Sequence, residues 1–183
     1  MDLEKIQAVL LNEPKYRQGQ IDKLIFQNLI SDWQEASVLP LSLRSTLNCE
    51  APLSINAAKI ISKDGQTEKA LITLDDNLQI ESVLMKYKDR NTICVSSQIG
   101  CPLNCAFCAT GKMGFKRNLN VSEIIAQVLF FARELKKQNK KITNIVYMGM
   151  GEPFLNYENV LESIKILNNP SKFGLGARHF SIS

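Results

Sequence analysis

Three cysteines cluster in an otherwise cysteine-poor chain: Cys101, Cys105 and Cys108, in the spacing C-x3-C-x2-C. Thiolates are the ligands that iron–sulfur clusters use, and spacings this short let one loop present all three. A four-iron cluster needs four ligands, so a set of three leaves one iron open to a small molecule. Electron-carrier ferredoxins use four cysteines in a different order. A zinc site would draw a fourth ligand from Cys49, Cys94 or the lone His179, and its usual signature is paired C-x2-C elements. A disulfide inside the loop suits a secreted chain, and Met1-Asp2-Leu3-Glu4-Lys5 is not a secretory start. Idle loop thiols would be oxidation liabilities. An open iron–sulfur site is the expectation.

The second chemical element is Tyr147-Met148-Gly149-Met150-Gly151-Glu152-Pro153. It falls where a strand should end, and in a parallel sheet ligands bind outside the carboxyl ends of the strands. The glycines let backbone approach a ligand closely, Glu152 offers a carboxylate to an ammonium group, and Pro153 stiffens the turn.

The elements that must position these residues follow from periodicity. Residues 1–54 read as a small helical domain: Leu3, Ile6, Val9 and Leu10, then Ile21, Leu24, Ile25 and Leu29, recur at helical spacing. Trp33 is its expected core anchor, and Cys49 reads as core. From 55 to 90 the period becomes two. Asp64-Gly65 marks a hairpin turn and Asp75-Asp76-Asn77 a second, so a three-stranded meander is expected. Residues 91–183 alternate strand (92–96), cysteine loop (100–120), helix (121–138), strand (142–148), helix (157–168) and strand (180–183). That alternation means a parallel sheet of βα units. The fold class expected is α/β: an incomplete (β/α) barrel preceded by the helical domain and the meander. With few units and an end inside a strand, the chain reads as a fragment.

The composition is that of a soluble globular protein, 45% hydrophobic and 22% charged. No apolar run approaches the ~20 residues that span a bilayer, so a cytoplasmic protein without a membrane partner is expected. The net charge of +4 permits a polyanionic partner without requiring one. Lys112, Lys116 and Arg117 follow the three cysteines within their loop, where a phosphate backbone could lie. Arg133, Lys136, Lys137, Lys140 and Lys141 form a second basic stretch, which is read as a solvated helix end whose cations complement the helix dipole.

The cysteine spacing, with the aromatic Phe107 before its last member, resembles the radical SAM (S-adenosylmethionine) signature. Gly151-Glu152-Pro153 resembles that superfamily's site for the methionine amino group. Further segments narrow the likeness: 81–90, Cys94-Val95-Ser96-Ser97-Gln98-Ile99-Gly100-Cys101, Gly114-Phe115-Lys116-Arg117-Asn118-Leu119, Val121-Ser122-Glu123-Ile124-Ile125 and Met148-Gly149-Met150-Gly151-Glu152-Pro153. Together these resemble the RlmN/Cfr family of radical SAM RNA adenine methyltransferases, and Tyr16-Arg17-Gln18-Gly19-Gln20-Ile21 resembles that family's N-terminal helical domain.

The resemblance implies a [4Fe–4S] cluster on Cys101, Cys105 and Cys108, and SAM held by Gly151, Glu152 and Ser183. It implies that Glu81 accepts a proton and that Cys94 resolves a protein–RNA intermediate by forming a disulfide. The methyl-carrying cysteine of the family falls beyond Ser183, so the chain alone is expected to be inactive. The implied reaction is methylation of adenine carbon 2 in 23S rRNA, and in tRNA, by a monomer served by an electron donor such as flavodoxin or ferredoxin. Carbon 8 as the target, a radical SAM enzyme of another class and a non-enzymatic iron–sulfur module are the competing readings.

Overall fold

The computed structural model describes residues 1–183. The chain opens on helices: α1 (Leu3–Leu10) and α2 (Tyr16–Asp22), which continues through a π-turn at Lys23–Gln27. A 3-10 turn follows at Trp33–Glu35, and then α3 (Leu41–Glu50). Asp2 caps α1 by accepting from Glu4 N and Lys5 N at 2.9 and 3.2 Å. Trp33 is fully buried, and its indole N–H donates to Ala51 O at 2.9 Å. The expected anchor is thus satisfied at both its apolar body and its polar tip. Cys49 is exposed and is not a core residue. The buried stripe of α3 is Leu43 and Leu47, and two residues beyond Leu47 the helix has turned about 200°.

The meander is β1 (Ala57–Ile61), β2 (Thr67–Thr73) and β3 (Gln79–Lys86), each antiparallel to the next. Gly65 takes φ +69° in the first turn, a conformation glycine adopts without penalty. β3 pairs antiparallel with β4 (Asn91–Cys94), which lies parallel to β7 (Asn144–Tyr147), itself parallel to β8 (Phe180–Ile182). Meander and parallel strands therefore form one six-stranded mixed sheet, in the order β1-β2-β3-β4-β7-β8. Between β4 and β7 come β5 (Gln98–Ile99), the short α4 (Ala109–Lys112), β6 (Arg117–Asn118) and α5 (Val121–Lys136). α6 (Tyr157–Asn168), entered through a 3-10 turn at Pro153–Asn156, connects β7 to β8.

α5 is capped by Asn120, whose side chain accepts from Glu123 N while Glu123 reaches back to Asn120 N, both at 2.9 Å. Ser122 accepts from Leu3 N at 2.9 Å and ties α1 to α5. The α5 residues Ile125, Val128, Leu129, Ala132 and Leu135 are buried, as are Ile93, Ile145 and Tyr147 of the sheet. These belong to one cluster of 37 buried apolar residues that runs from Ile6 to Leu175, so the N-terminal helices and the sheet share a core. No helix is long and apolar enough to cross a membrane.

One charged group is buried in that packing. Glu68 on β2 is 3% exposed, with Lys86 Nζ at 2.5 Å and Lys59 Nζ at 3.2 Å, and Lys59 also bonds Glu134 of α5 at 2.7 Å. Burial alone would raise the Glu68 carboxyl, but the two ammonium groups outweigh it and hold the group below the usual carboxylate range. A depressed folded pKa gives stability that is complete above the unfolded value of about 4.3 and lost as pH falls through the lower folded one. Melting temperatures are therefore expected to drop below about pH 4, and Glu68→Gln to flatten that limb. An acid limb unchanged by the substitution would remove this trio from it.

Candidate functional site

β4 and β7 are adjacent and parallel, and the segments leaving their carboxyl ends meet. From β4 the chain runs through Val95–Gly100 into the cysteine loop, and from β7 through Met148–Pro153. Val95, Ser96, Ser97, Gln98, Ile99 and Gly100 are all buried. Ser97 N and Gln98 N both donate to Met150 O, at 2.9 and 3.1 Å, and Gly149 N donates to Val95 O at 3.0 Å. Ser96 Oγ accepts from Met150 N at 2.9 Å and donates to Glu81 O at 2.6 Å. Gln127 of α5 holds Ser96 from behind: its Oε1 accepts from Ser96 N at 2.8 Å and its Nε2 donates to Ser96 O at 2.9 Å.

The expected site residues fall on three parts of this end of the sheet. Cys101, Cys105 and Cys108 are half-buried, unpaired as disulfides and on one loop. Cys108 precedes α4. The backbone N–H groups of Gly111 and Thr110 hold its thiol below the usual range, which favours a thiolate. Gly111 packs so close that a Cβ would lie 2.9 Å from Asn104 Cα. No three His, Cys, Asp or Glu side chains are gathered as ligands of a single ion. Thiolates of a cluster each bind a different iron and need not converge on one point. A half-buried loop of three free thiols, one of them with its ionisation eased by two backbone N–H groups, fits a cluster with an open iron.

Gly151 and Glu152 face that loop across Gln98. Gly151 takes φ +97°, and a Cβ there would lie 2.4 Å from Gln98 Cβ. Glu152 N donates to Gln98 Oε1 at 2.8 Å, while the Glu152 carboxylate accepts from Phe154 N at 3.1 Å through Oε1. Ser183 follows β8, in which Ile182 is level with Tyr147. It therefore lies at the carboxyl end, next to the start of the Met148–Pro153 turn.

Glu81 and Cys94 belong to the sheet itself. Cys94 pairs with Val83 in register, so Glu81, two residues from Val83, points to the same face as Cys94. Ile80, Ser82 and Leu84 point the other way and are buried. Glu81 is half-exposed and ion-paired with Lys69 at 3.1 Å. Burial pushes the Cys94 thiol up, partly offset by the Met148 N–H.

The basic residues divide. Lys112 and Lys116 are exposed. Arg117, expected among the free cations, is not free: it bridges Asp76 and Glu123, each at 2.7 Å. In the second stretch Arg133 donates to Leu53 O at 2.8 Å, Lys136 to Asn28 O, and Lys137 pairs with Glu134 at 2.7 Å. Arg133 and Lys136 pin α5 to its neighbours, while the Lys137 pair lies within the end of α5 itself. Sequence reasoning also missed the buried polar group of Ser96, Gln98, Gln127 and Asn156. Asn156 Nδ2 donates to Ser97 O and Leu119 O at 2.7 and 2.8 Å. The available signal was a run of polar residues continuing a buried-type strand.

Residues 95–183 match the Radical SAM superfamily, a match that implies a [4Fe–4S] cluster and SAM as cofactors. Along its whole length the chain is similar to proteins named RlmN. It is 41% identical over its full length to a probable dual-specificity RNA methyltransferase RlmN of Dictyoglomus thermophilum, covering 53% of that protein. It is 44% identical to the one of Syntrophomonas wolfei, again over its full length, covering 55%. The crystal structure of a radical SAM methyltransferase from Sphaerobacter thermophilus superposes on the whole chain with a TM-score of 0.91 at 40% identity, and 55% of that protein is covered. The chain thus spans about half the length of these relatives.

Proposed function

We propose that this chain is the cluster- and SAM-binding part of an enzyme that methylates adenine carbon 2 in 23S rRNA and tRNA. The carrying observation is the junction just described: a three-thiol loop and a Gly-Glu-Pro turn, from adjacent parallel strands, bonded to each other at the sheet's carboxyl end. Cys101, Cys105 and Cys108 would hold three irons. Gly151 and Glu152 would hold the methionine end, Glu152 with one carboxylate oxygen to accept from its ammonium, and Ser183 adds a hydroxyl at the same rim. The chemistry the bound group supplies is one-electron cleavage of SAM's carbon–sulfur bond, with the electron from a flavodoxin or ferredoxin. Glu81, on the sheet face it shares with Cys94, accepts the proton lost by adenine. Cys94, a protonated thiol at rest, would give up its proton and attack the sulfur of the methyl-carrying cysteine of the complete enzyme, the new S–S bond replacing that sulfur's bond to the carbon that leaves with the RNA.

Anaerobic reconstitution of the chain with iron and sulfide tests the site. The reduced protein is expected to give a cluster EPR signal that changes on adding SAM; zinc without iron would reject it. Mass spectrometry of nucleosides from RNA treated with the complete enzyme tests the target, 2-methyladenosine supporting the reading and 8-methyladenosine replacing it with the carbon 8 alternative.

The exposed Lys112 and Lys116 flank the loop where RNA phosphates would pass. Removing both is expected to reduce the slope of log affinity against log salt by about 1.4 to 1.8 for an rRNA hairpin. An unchanged slope would take them out of the RNA path.

A further inference from the structure

We propose that Gln98 is the positioning residue that locks the cysteine loop to the Gly-Glu-Pro turn and so sets the affinity for SAM. The inference rests on the reading above that these two segments hold the cluster and SAM.

Gln98 is 1% exposed and makes two opposed side-chain bonds. Its Oε1 accepts from Glu152 N at 2.8 Å, and its Nε2 donates to Asn118 Oδ1 at 2.8 Å. Asn118 lies on β6, the strand by which the chain leaves the cysteine loop, and pairs in register with Gln98 on β5, the strand by which it enters. Asn118 Nδ2 reaches Leu155 O at 3.3 Å, beyond the turn. One amide therefore spans entry, exit and the neighbouring βα unit. The contact is also steric: the Gly151 backbone closes onto Gln98 Cβ and Cγ so tightly that no side chain fits between them. The Glu152 backbone is held by Gln98, and the Glu152 carboxylate is held only by its own turn, through Phe154 N. Where that carboxylate stands relative to the cysteines is thus fixed through the Gln98 amide.

Other bonds join the same two segments, through Met150 O, Ser96 Oγ and Asn156. Losing the Gln98 amide should therefore shift the turn without dismantling it. The expected consequence is specific: cluster loading persists while SAM binding weakens. Gln98→Ala removes both bonds and leaves Glu152 N–H unpaired. Gln98→Glu keeps an acceptor of the same length for Glu152 N but loses the donor to Asn118, whose amide can turn towards the carboxylate only by giving up Leu155 O.

The test measures iron and labile sulfide after anaerobic reconstitution, and SAM affinity by equilibrium dialysis. Gln98→Ala is expected to keep its iron and to weaken SAM binding by about tenfold, the scale of one lost buried hydrogen bond. Gln98→Glu, which keeps the bond from Glu152 N and loses the one to Asn118, is expected to weaken SAM binding less than Gln98→Ala. Should Gln98→Ala fail to fold, Asn118→Ala releases the far end of the same amide from an exposed position and should weaken SAM binding with iron retained. Unchanged affinity in a folded Gln98→Ala, equal losses in Gln98→Ala and Gln98→Glu, or iron lost together with SAM would each overturn the positioning role. An unaltered, iron-loaded chain that binds no SAM would instead overturn the functional reading beneath it.

Discussion

Gly100→Ala is expected to leave the chain folded but to cut its iron uptake on reconstitution severely. Gly100 stands immediately before Cys101 with φ +72°, and an added Cβ would lie 1.7 Å from Gly114 O and 2.7 Å from Gly114 C. Both are backbone atoms, so no side chain can swing aside. Gly114 is the point to which the loop returns after α4, and Lys116 N then donates to Ile99 O at 2.9 Å. An alanine must therefore push entry and exit apart and change the spacing of the three thiols inside. Left-handed backbone costs a non-glycine residue about 1–2 kcal/mol, and forced overpacking about 1–3 kcal/mol more. Gly65→Ala separates the two terms. Gly65 has nearly the same φ, +69°, but open space around its Cβ position. It should lose only the first term and load iron fully. Full loading of Gly100→Ala would show that the loop's closure does not set the cluster site.

How far the molecule was legible in advance depends on the range of the interaction that fixes each part. Local patterns read well. The Asp64-Gly65 turn, the meander, the buried stripe of α5 and the βα alternation all depend on neighbours a few residues away, and each is present with ends shifted by one or two residues. The ladder of β5 and β6 escaped because two residues on each side are too few to show a period. Arg117 was misjudged because one of its partners, Asp76, is 41 residues distant. Cys49 was misjudged because a cysteine's usual burial was weighed above its position on α3. The polar group of Ser96, Gln98, Gln127 and Asn156 was the largest omission. A polar side chain reads as solvated unless its buried partner is known, and Ser96 and Gln127 are 31 residues apart.

Gln127→Leu should lower stability markedly, although Gln127 touches neither the cysteine loop nor the Gly-Glu-Pro turn. Gln127 is fully buried on α5, behind the point where β4 ends and the site begins. There the sheet ladder stops, so Ser96 N–H and C=O have no strand partner, and the Gln127 amide pairs with both, at 2.8 and 2.9 Å. Leucine fits the volume but offers neither donor nor acceptor. Each orphaned buried group costs about 1–3 kcal/mol, so a loss of roughly 3 kcal/mol is expected, or about 6–12 °C in melting temperature for a chain of this size. Glutamate at 127 distinguishes bonding from packing: it retains an acceptor for Ser96 N–H, loses the donor to Ser96 C=O, and faces that oxygen with a charge. It should therefore be no better than leucine at neutral pH and recover as pH falls and the carboxyl protonates. The site should feel the same change, since Ser96 Oγ is what bridges Glu81 O to Met150 N. Leucine that melts like the unaltered chain would mean that the end of β4 finds other partners, and that α5 holds the site by apolar packing alone.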